Sequence, residues 1–239
     1  MTPAAPVLPG TRSFAQWGED VLVWDYFHRQ PRGFFIEVGA NDPVNISQTY
    51  LLELNGWEGI LVEPQAACCE RLRPLRPRSK VVQAACGGPE QKGKAWFRLA
   101  SSHDRSALAS QMSEPDVTFT GTVEVDLVTL DDVLETSGNP KPDFVSIDVE
   151  GGELAVLRGF NLARHHPALL LVEDHVHDLA LHSYLCAHRY KLVKRTGSNN
   201  WYVPQETEFP ISLGEWLRLF RKMRLGTPLR RLKSLLRGL

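Results

Sequence analysis

The sequence predicts an α/β fold: a mostly parallel sheet covered by helices on both faces. Three observations carry that reading. Short apolar runs recur along the chain with helix-compatible stretches between them. Several of those runs end in acidic or small polar residues, so one edge of an otherwise apolar sheet collects chemistry. The 239 residues are 43% hydrophobic and 23% charged, a globular composition of a size usual for one α/β domain with additions.

The elements follow in order. "FFIEV" (34–38) is a five-residue apolar run interrupted by Glu37, and a helix-compatible segment follows at 47–55. "GILVEP" (59–64) is the second strand, "QAACCERLRPL" the next helix and "KVVQAAC" (80–86) the third strand. The middle alternates apolar and polar residues over 94–100 and 122–128, as antiparallel strands do, with a polar loop between them. "TLDDVLETSG" opens on a threonine cap and closes on glycine. "DFVSIDVEG" is a strand, "GELAVLRGFNLARHH" a helix and "ALLLVEDH" a strand. A helical stretch over 176–188 precedes "YKLVKRT" and "NWYVP", which read as a hairpin about "GSNN". No internal repeat is visible.

Cys68, Cys69, Cys86 and Cys186 show no CxxC pair and no zinc-ligand spacing, which predicts free thiols in a reducing compartment. The first ten residues lack a signal-peptide pattern, and no run of 18 apolar residues occurs, so the expectation is a cytoplasmic chain. The net charge of −1 hides an asymmetry. Residues 212–239 carry eight basic side chains against Glu215 alone, leaving the rest at −8. The predicted organisation is therefore a body over 1–211, with a cap segment near 11–31, and a basic amphipathic tail over 212–239. In the tail Trp216, Leu219, Phe220 and Met223 fall at i, i+3, i+4 and i+7. That pattern suits an anionic membrane surface at the inner face, docking on the acidic body, or a homodimer partner. The acidic body argues against nucleic acid.

In open α/β sheets ligands bind outside the carboxyl ends of the strands. The predicted ends carry Glu37, Gly39, Asn41 and Asp42; Glu63 and Pro64; Ala85 and Cys86; Asp148 and Glu150; and Glu173, Asp174 and His175. Glu63, 26 residues after Glu37, is placed to accept hydrogen bonds from the hydroxyls of a nucleoside ribose. Gly39 permits close backbone approach. "VGAND" keeps one glycine of the GxGxxG fingerprint, which disfavours a nicotinamide dinucleotide and favours a nucleoside without a diphosphate.

These residues resemble a family. "SFAQWGED" (13–20), "FFIEVGAND", "LVEP", "VEVDLVTLDDVL", "VSIDVEGGELAVLRGF" and "LLLVEDH" occur in the order seen in FkbM-type methyltransferases, and the likeness covers about 13–203. The resemblance implies a Rossmann-like class I fold with a seven-stranded sheet whose last strand is antiparallel, and S-adenosylmethionine as cofactor. It implies that Glu37 and Gly39 hold the methionine end, Glu63 the ribose, and Ala85 the region beside the adenine, with Ser101 or Ser102 as further candidates. Gln16, Glu19 and Asp20 match the family's element over the cofactor cleft, although Phe14 and Ala15 separate Ser13 from Gln16.

Methyl transfer to an alcohol needs alignment and a way to remove the hydroxyl proton. Asp148 and Glu173 could converge on one hydroxyl, with His175 as a general base; Asp148, Glu173 and Asp174 could instead ligate Mg²⁺ or Mn²⁺. Glu150 and Glu153 also read as acids serving a helix start, and His103 and Asp104 sit on a polar loop that could cover substrate. The expectation is an O-methyltransferase acting on a sugar hydroxyl of a polysaccharide, glycolipid or glycosylated metabolite. Its rivals are a non-catalytic scaffold recruited through the tail and a nicotinamide oxidoreductase.

Overall fold

The computed structural model describes residues 11–100, 106–109 and 118–237. The strands in chain order are β1 (Phe34–Val38), β2 (Glu58–Val62), β3 (Ser79–Val82), β4 (Ala85–Cys86), β5 (Gly93–Ala100) and β6 (Ala107–Leu108). They continue with β7 (Phe119–Val128), β8 (Phe144–Ile147), β9 (Leu169–Glu173), β10 (Tyr190–Thr196) and β11 (Asn199–Pro204). The helices are α1 (Glu19–Tyr26), α2 (Tyr50–Leu54), α3 (Ala66–Leu75), α4 (Leu130–Glu135), α5 (Glu153–Arg158), α6 (Leu162–His165) and α7 (Ala180–Ala187). In the tail lie α8 (Leu213–Phe220), a π turn over Arg221–Leu225, and α9 (Gly226–Arg237).

Seven strands form the main sheet in the order β10-β11-β9-β8-β1-β2-β3. β1 lies between β2 and β8, parallel to both, and β11 runs antiparallel to β9. The chain steps one way from β1 through β2 to β3 and the other way from β8 to β9. The carboxyl end of β1 is therefore the switch point where such sheets bind ligands.

Alternation along each strand builds two cores. Ile36, Val38, Ile60, Val62, Val145 and Ile147 face α4 to α7 and pack on Leu134, Val156, Leu157 and Leu185. Phe35, Leu61, Phe144 and Leu171 face α1 to α3 and pack on Val23, Phe27, Leu52 and Leu72. Both faces are covered, which is why the parallel strands read as nearly continuous apolar runs.

Four elements differ from the sequence expectation. The run 80–86 is two strands: Val82 pairs with Val62, where β2 ends and offers no further partner, and Ala85–Cys86 join β7 instead. That second sheet runs β4-β7-β5-β6. The helix expected from 152 breaks after Arg158, and Asn161 starts α6 by accepting a hydrogen bond from the Arg164 amide at 3.0 Å. The helix expected from 176 begins at Ala180, because Val176 lies at φ 56° and Asp178 accepts from the Ala180 amide at 2.7 Å. In the tail, Leu219 and Met223 turn inward, with Met223 buried, whereas Trp216 and Phe220 point to solvent. Cys68, Cys69, Cys86 and Cys186 are free thiols. Among the described residues no helix is long and apolar enough to cross a membrane.

Candidate active site

The carboxyl ends of β1, β2 and β8 enclose a cleft of two lobes that share Gly39, Asn41 and Asp148. One lobe is lined by Glu63, Pro64, Ala85, Cys86, Phe97 and Leu108 among others. The other is lined by Glu37, Ile46, Gln48 and Ser146. One lobe is therefore mainly apolar with a carboxylate at its rim, and the other is mainly polar.

Gly39 makes the junction. It adopts φ 88°, and a Cβ there would fall on the carbonyl oxygen of Asp148. The close approach expected of this glycine is thus made to the chain's own β8 end. Its amide donates to Val62 O at 2.9 Å, which ties β1 to β2 at the switch point.

Glu63 is buried at the end of β2. Its Oε2 accepts from the Asn41 amide at 3.0 Å and its Oε1 from the Gln65 amide at 2.8 Å. These bonds fix the carboxylate at the rim. Burial raises its pKa above the ordinary value, opposed by the two amide bonds. Pro64 and Ala85 line the same lobe. Ala85 reaches it from the second sheet, so Phe97 and Leu108 of β5 and β6 come with it.

Glu37 is buried on the other side and nearly saturated. Its oxygens accept from the Gln48 amide at 2.9 Å and Thr49 Oγ1 at 2.5 Å, with Ser47 Oγ at 3.3 Å and the fully buried Arg76 at 3.8 Å. Burial still raises its pKa, against the lowering effect of Arg76. Glu37 thereby holds residues 47–49 in place, so that Gln48 lines the polar lobe and accepts a hydrogen bond from Ser146 Oγ. Arg76 also bonds Glu53 at 2.6 Å. Neither Arg76 nor Gln48 carried a signal in the sequence, because each acts across a long separation.

A third carboxylate group lies at the ends of β8 and β9. One carboxylate oxygen each from Asp148, Glu150 and Glu173 lie within 4.8 Å of one another. Oε2 of Glu173 is buried without a hydrogen-bond partner. Burial first, and then the carboxylates of Glu173, Glu150 and Glu153, hold the Asp148 carboxyl well above the usual range. Glu153 is buried behind them; its Oε1 accepts from the amides of Gly151 at 3.0 Å and Val149 at 3.2 Å. Burial pushes it up to about 7. His175 Nε2 stands 3.6 Å from Glu173 Oε1 on an exposed side chain.

Asp174 does not join this group. Its Oδ1 accepts from the Val176 amide at 2.6 Å and its Oδ2 from Asn200 Nδ2 at 3.0 Å. Glu150 takes the place expected for Asp174, brought round by a turn in which Glu150 has φ 59° and Gly151 φ 106°.

The cap segment packs over the hairpin end. Ser13 Oγ and the Phe14 amide donate to Asp20 at 2.5 and 2.7 Å, and the Trp17 amide donates to Glu19 Oε2 at 2.8 Å. Glu19 Oε1 accepts from Asn199 Nδ2 at 2.9 Å. Glu19 and Asp20 are buried, whereas Gln16 is exposed and lines neither lobe. Trp17 lies against Gly197, where any Cβ would collide with its ring. Ser101, Ser102, His103 and Asp104 lie outside the described residues.

Residues 37–192 match the family model of the methyltransferase FkbM domain. The chain belongs to the FkbM methyltransferase family. No curated protein is similar enough in sequence to match. Among solved structures, a precorrin-6y C5,15-methyltransferase from Geobacter metallireducens is similar at 12% identity and a TM-score of 0.44, over 81% of this chain and 91% of that one. A methyltransferase from Geobacter sulfurreducens matches at 10% identity and 0.38, over 77% and 76%. The C-terminal domain of precorrin-6Y C5,15-methyltransferase from Rhodobacter capsulatus matches at 12% and 0.38, over 77% and 84%. The FkbM family assignment makes this chain a methyltransferase and implies S-adenosylmethionine as its methyl donor.

Proposed function

We propose that this FkbM-family protein transfers methyl groups to a hydroxyl oxygen on a sugar of a polysaccharide, glycolipid or glycosylated metabolite. The observation that carries the reading is the carboxylate group of Asp148, Glu150 and Glu173 beside a two-lobed cleft. The cleft suits S-adenosylmethionine in its donor set: Glu63 offers a fixed carboxylate for ribose hydroxyls, the apolar lobe offers a wall for a base, and the polar lobe offers Gln48 and Ser146 for an amino acid end. When bound, the donor supplies an activated methyl carbon, so the protein's share is alignment and proton handling.

A hydroxyl must lose its proton as its oxygen attacks. Asp148 is suited to take it, because desolvation and the neighbouring acids make its carboxyl hold a proton more strongly than an ordinary one. His175, at the solvent side of Glu173, can pass the proton outward. A second reading rests on the same residues. Three carboxylate oxygens at this spacing, one side chain with a buried orphan oxygen, form a donor set that a hard divalent cation such as Mg²⁺ or Mn²⁺ would fit. In that case Asp148, Glu150 and Glu173 would be the ligands.

The test is transfer of a labelled methyl group to a panel of nucleotide sugars and glycans, with and without EDTA. Product mass spectra showing an O-methyl ether, lost in Asp148→Asn, support the reading. Methyl groups found on nitrogen or carbon would overturn it. Activity unaffected by EDTA removes the cation reading, and activity restored by Mn²⁺ establishes it.

A further inference from the structure

The tail is not used by the chemistry above, and its structure splits it into two faces. Toward the body it presents Leu219, Met223 and Thr227, of which Met223 and Thr227 are buried. Arg230 Nε donates to the Val176 carbonyl at 3.0 Å, which fastens α9 to the turn that follows β9. Away from the body, α8 has no buried residue. Leu213, Trp216, Leu217 and Phe220 recur at i, i+3, i+4 and i+7, are each at least 44% exposed, and form one apolar stripe. The Trp216 and Phe220 rings stack at 5.4 Å between centroids. Leu225, Leu229 and Leu232 continue the exposed apolar surface along the π turn and α9.

Around this stripe every described charge but Glu215 is basic. Arg218, Arg221, Lys222 and Arg224 are exposed. The one acid, Glu215, is used in capping: its Oε2 accepts from Ser212 Oγ at 3.0 Å, and Ser212 Oγ accepts from its amide. A helix with aromatic and leucine side chains on one face and arginines on its flanks matches a bilayer interface, where rings sit at headgroup level and guanidiniums reach phosphates. A two-fold pairing of this face with its own copy would set basic flank against basic flank, which like charges oppose.

We propose that the α8–α9 face docks on the surface of an anionic lipid bilayer. Leu213, Trp216, Leu217 and Phe220 enter the boundary between headgroups and acyl chains, and Arg218, Arg221, Lys222 and Arg224 contact lipid phosphates. The body, at net −8, is repelled by the same surface, so the tail makes the contact and sets its orientation. Because Arg230 joins α9 to the turn after β9, the bilayer lies on the side of the molecule that carries His175 and His177.

The experiment is flotation of the full chain with vesicles of phosphatidylcholine alone and of phosphatidylcholine with phosphatidylglycerol in equal amounts. The wild type is expected to float with the anionic vesicles, to float less as salt rises, and to stay behind with the neutral ones. Trp216→Ser with Phe220→Ser should lower the partition by at least about tenfold. Arg218→Glu with Arg221→Glu should lower it about as much. Binding of S-adenosylhomocysteine in both variants should equal that of the wild type, which shows the body still folded. Failure of the wild type to float with anionic vesicles overturns the proposal, as does flotation unchanged in both variants. A concentration-dependent dimer that the same substitutions dissolve, without vesicle binding, assigns the face to a second copy.

Discussion

Two carboxylate groups, one buried and one half-buried, sit at the carboxyl edge of one sheet, and they are built on opposite terms. Glu37 is surrounded by donors: two hydroxyls, an amide and a buried guanidinium. Asp148 is surrounded by other acids, and its neighbour Glu173 keeps a buried oxygen without a partner. Saturation is what a structural charge needs, since a buried charge left unpaired costs several kcal/mol. Starvation costs stability and is tolerated where a proton, a cation or a substrate completes the site. The charge inside β1 is therefore a tie for the loop at 47–49, and the proposed function puts the proton chemistry at the ends of β8 and β9.

The comparison can be broken from either side, and the largest effect is expected at the starved group. Asp148→Asn should lower kcat by roughly 10²- to 10⁴-fold while the folded protein stays as stable or gains, because one acid leaves a repulsive cluster. Chemical denaturation alongside steady-state kinetics checks both halves. At the saturated group the sign reverses. Arg76→Met leaves Glu37 and Glu53 buried beside an apolar side chain, and should cost about 3–5 kcal/mol in denaturant unfolding. If Arg76→Met spares stability and Asp148→Asn destroys it, the assignment of roles is wrong.

A smaller effect separates the rim carboxylate from both groups. Glu63→Ala should weaken binding of the methyl donor by roughly ten- to a hundredfold, since it removes charged hydrogen bonds to a ligand and leaves the Asn41 and Gln65 amides unpaired. The smallest effect concerns pH. Glu153 holds its proton more tightly in the folded chain than in the unfolded one, with its value pushed up to about 7. Its contribution to stability is fully present in acid, below the unfolded carboxyl value, and is lost as pH rises through about 7. Glu153→Gln keeps an acceptor for the Val149 and Gly151 amides and cannot ionise. The melting temperature of this variant should fall less than that of the wild type between pH 5 and 8, by a few degrees at most. An identical fall in both would show that Glu153 does not titrate in that range.

The fold was legible in the sequence because its signals are local. The run at 34–38, the threonine cap before α4 and the hairpin after "YKLVKRT" each state themselves within a few residues, and all stand in the structure. What was not legible depends on partners far along the chain. β3 stops where β2 stops, 20 residues earlier, so Ala85 passes to another sheet. Arg76 meets Glu37 only after the chain has made a strand, a helix, another strand and another helix. Glu150 and Asp174 look equivalent on paper, each next to a strand end. Two positive-φ residues after Asp148 turn Glu150 into the group, whereas Asp174 is claimed by Val176 and Asn200. In the tail a 3.6-residue period found the amphipathic helix but could not choose which apolar side chains meet the body.

The most direct test is calorimetric titration of S-adenosylhomocysteine into wild type, Glu63→Ala and Asp148→Asn, followed by methyl transfer on the same three proteins. The account predicts tight binding by wild type and Asp148→Asn, weak binding by Glu63→Ala, and turnover by wild type with none detectable in Asp148→Asn. No binding by the wild type, or binding by Glu63→Ala as tight as wild type, would contradict it.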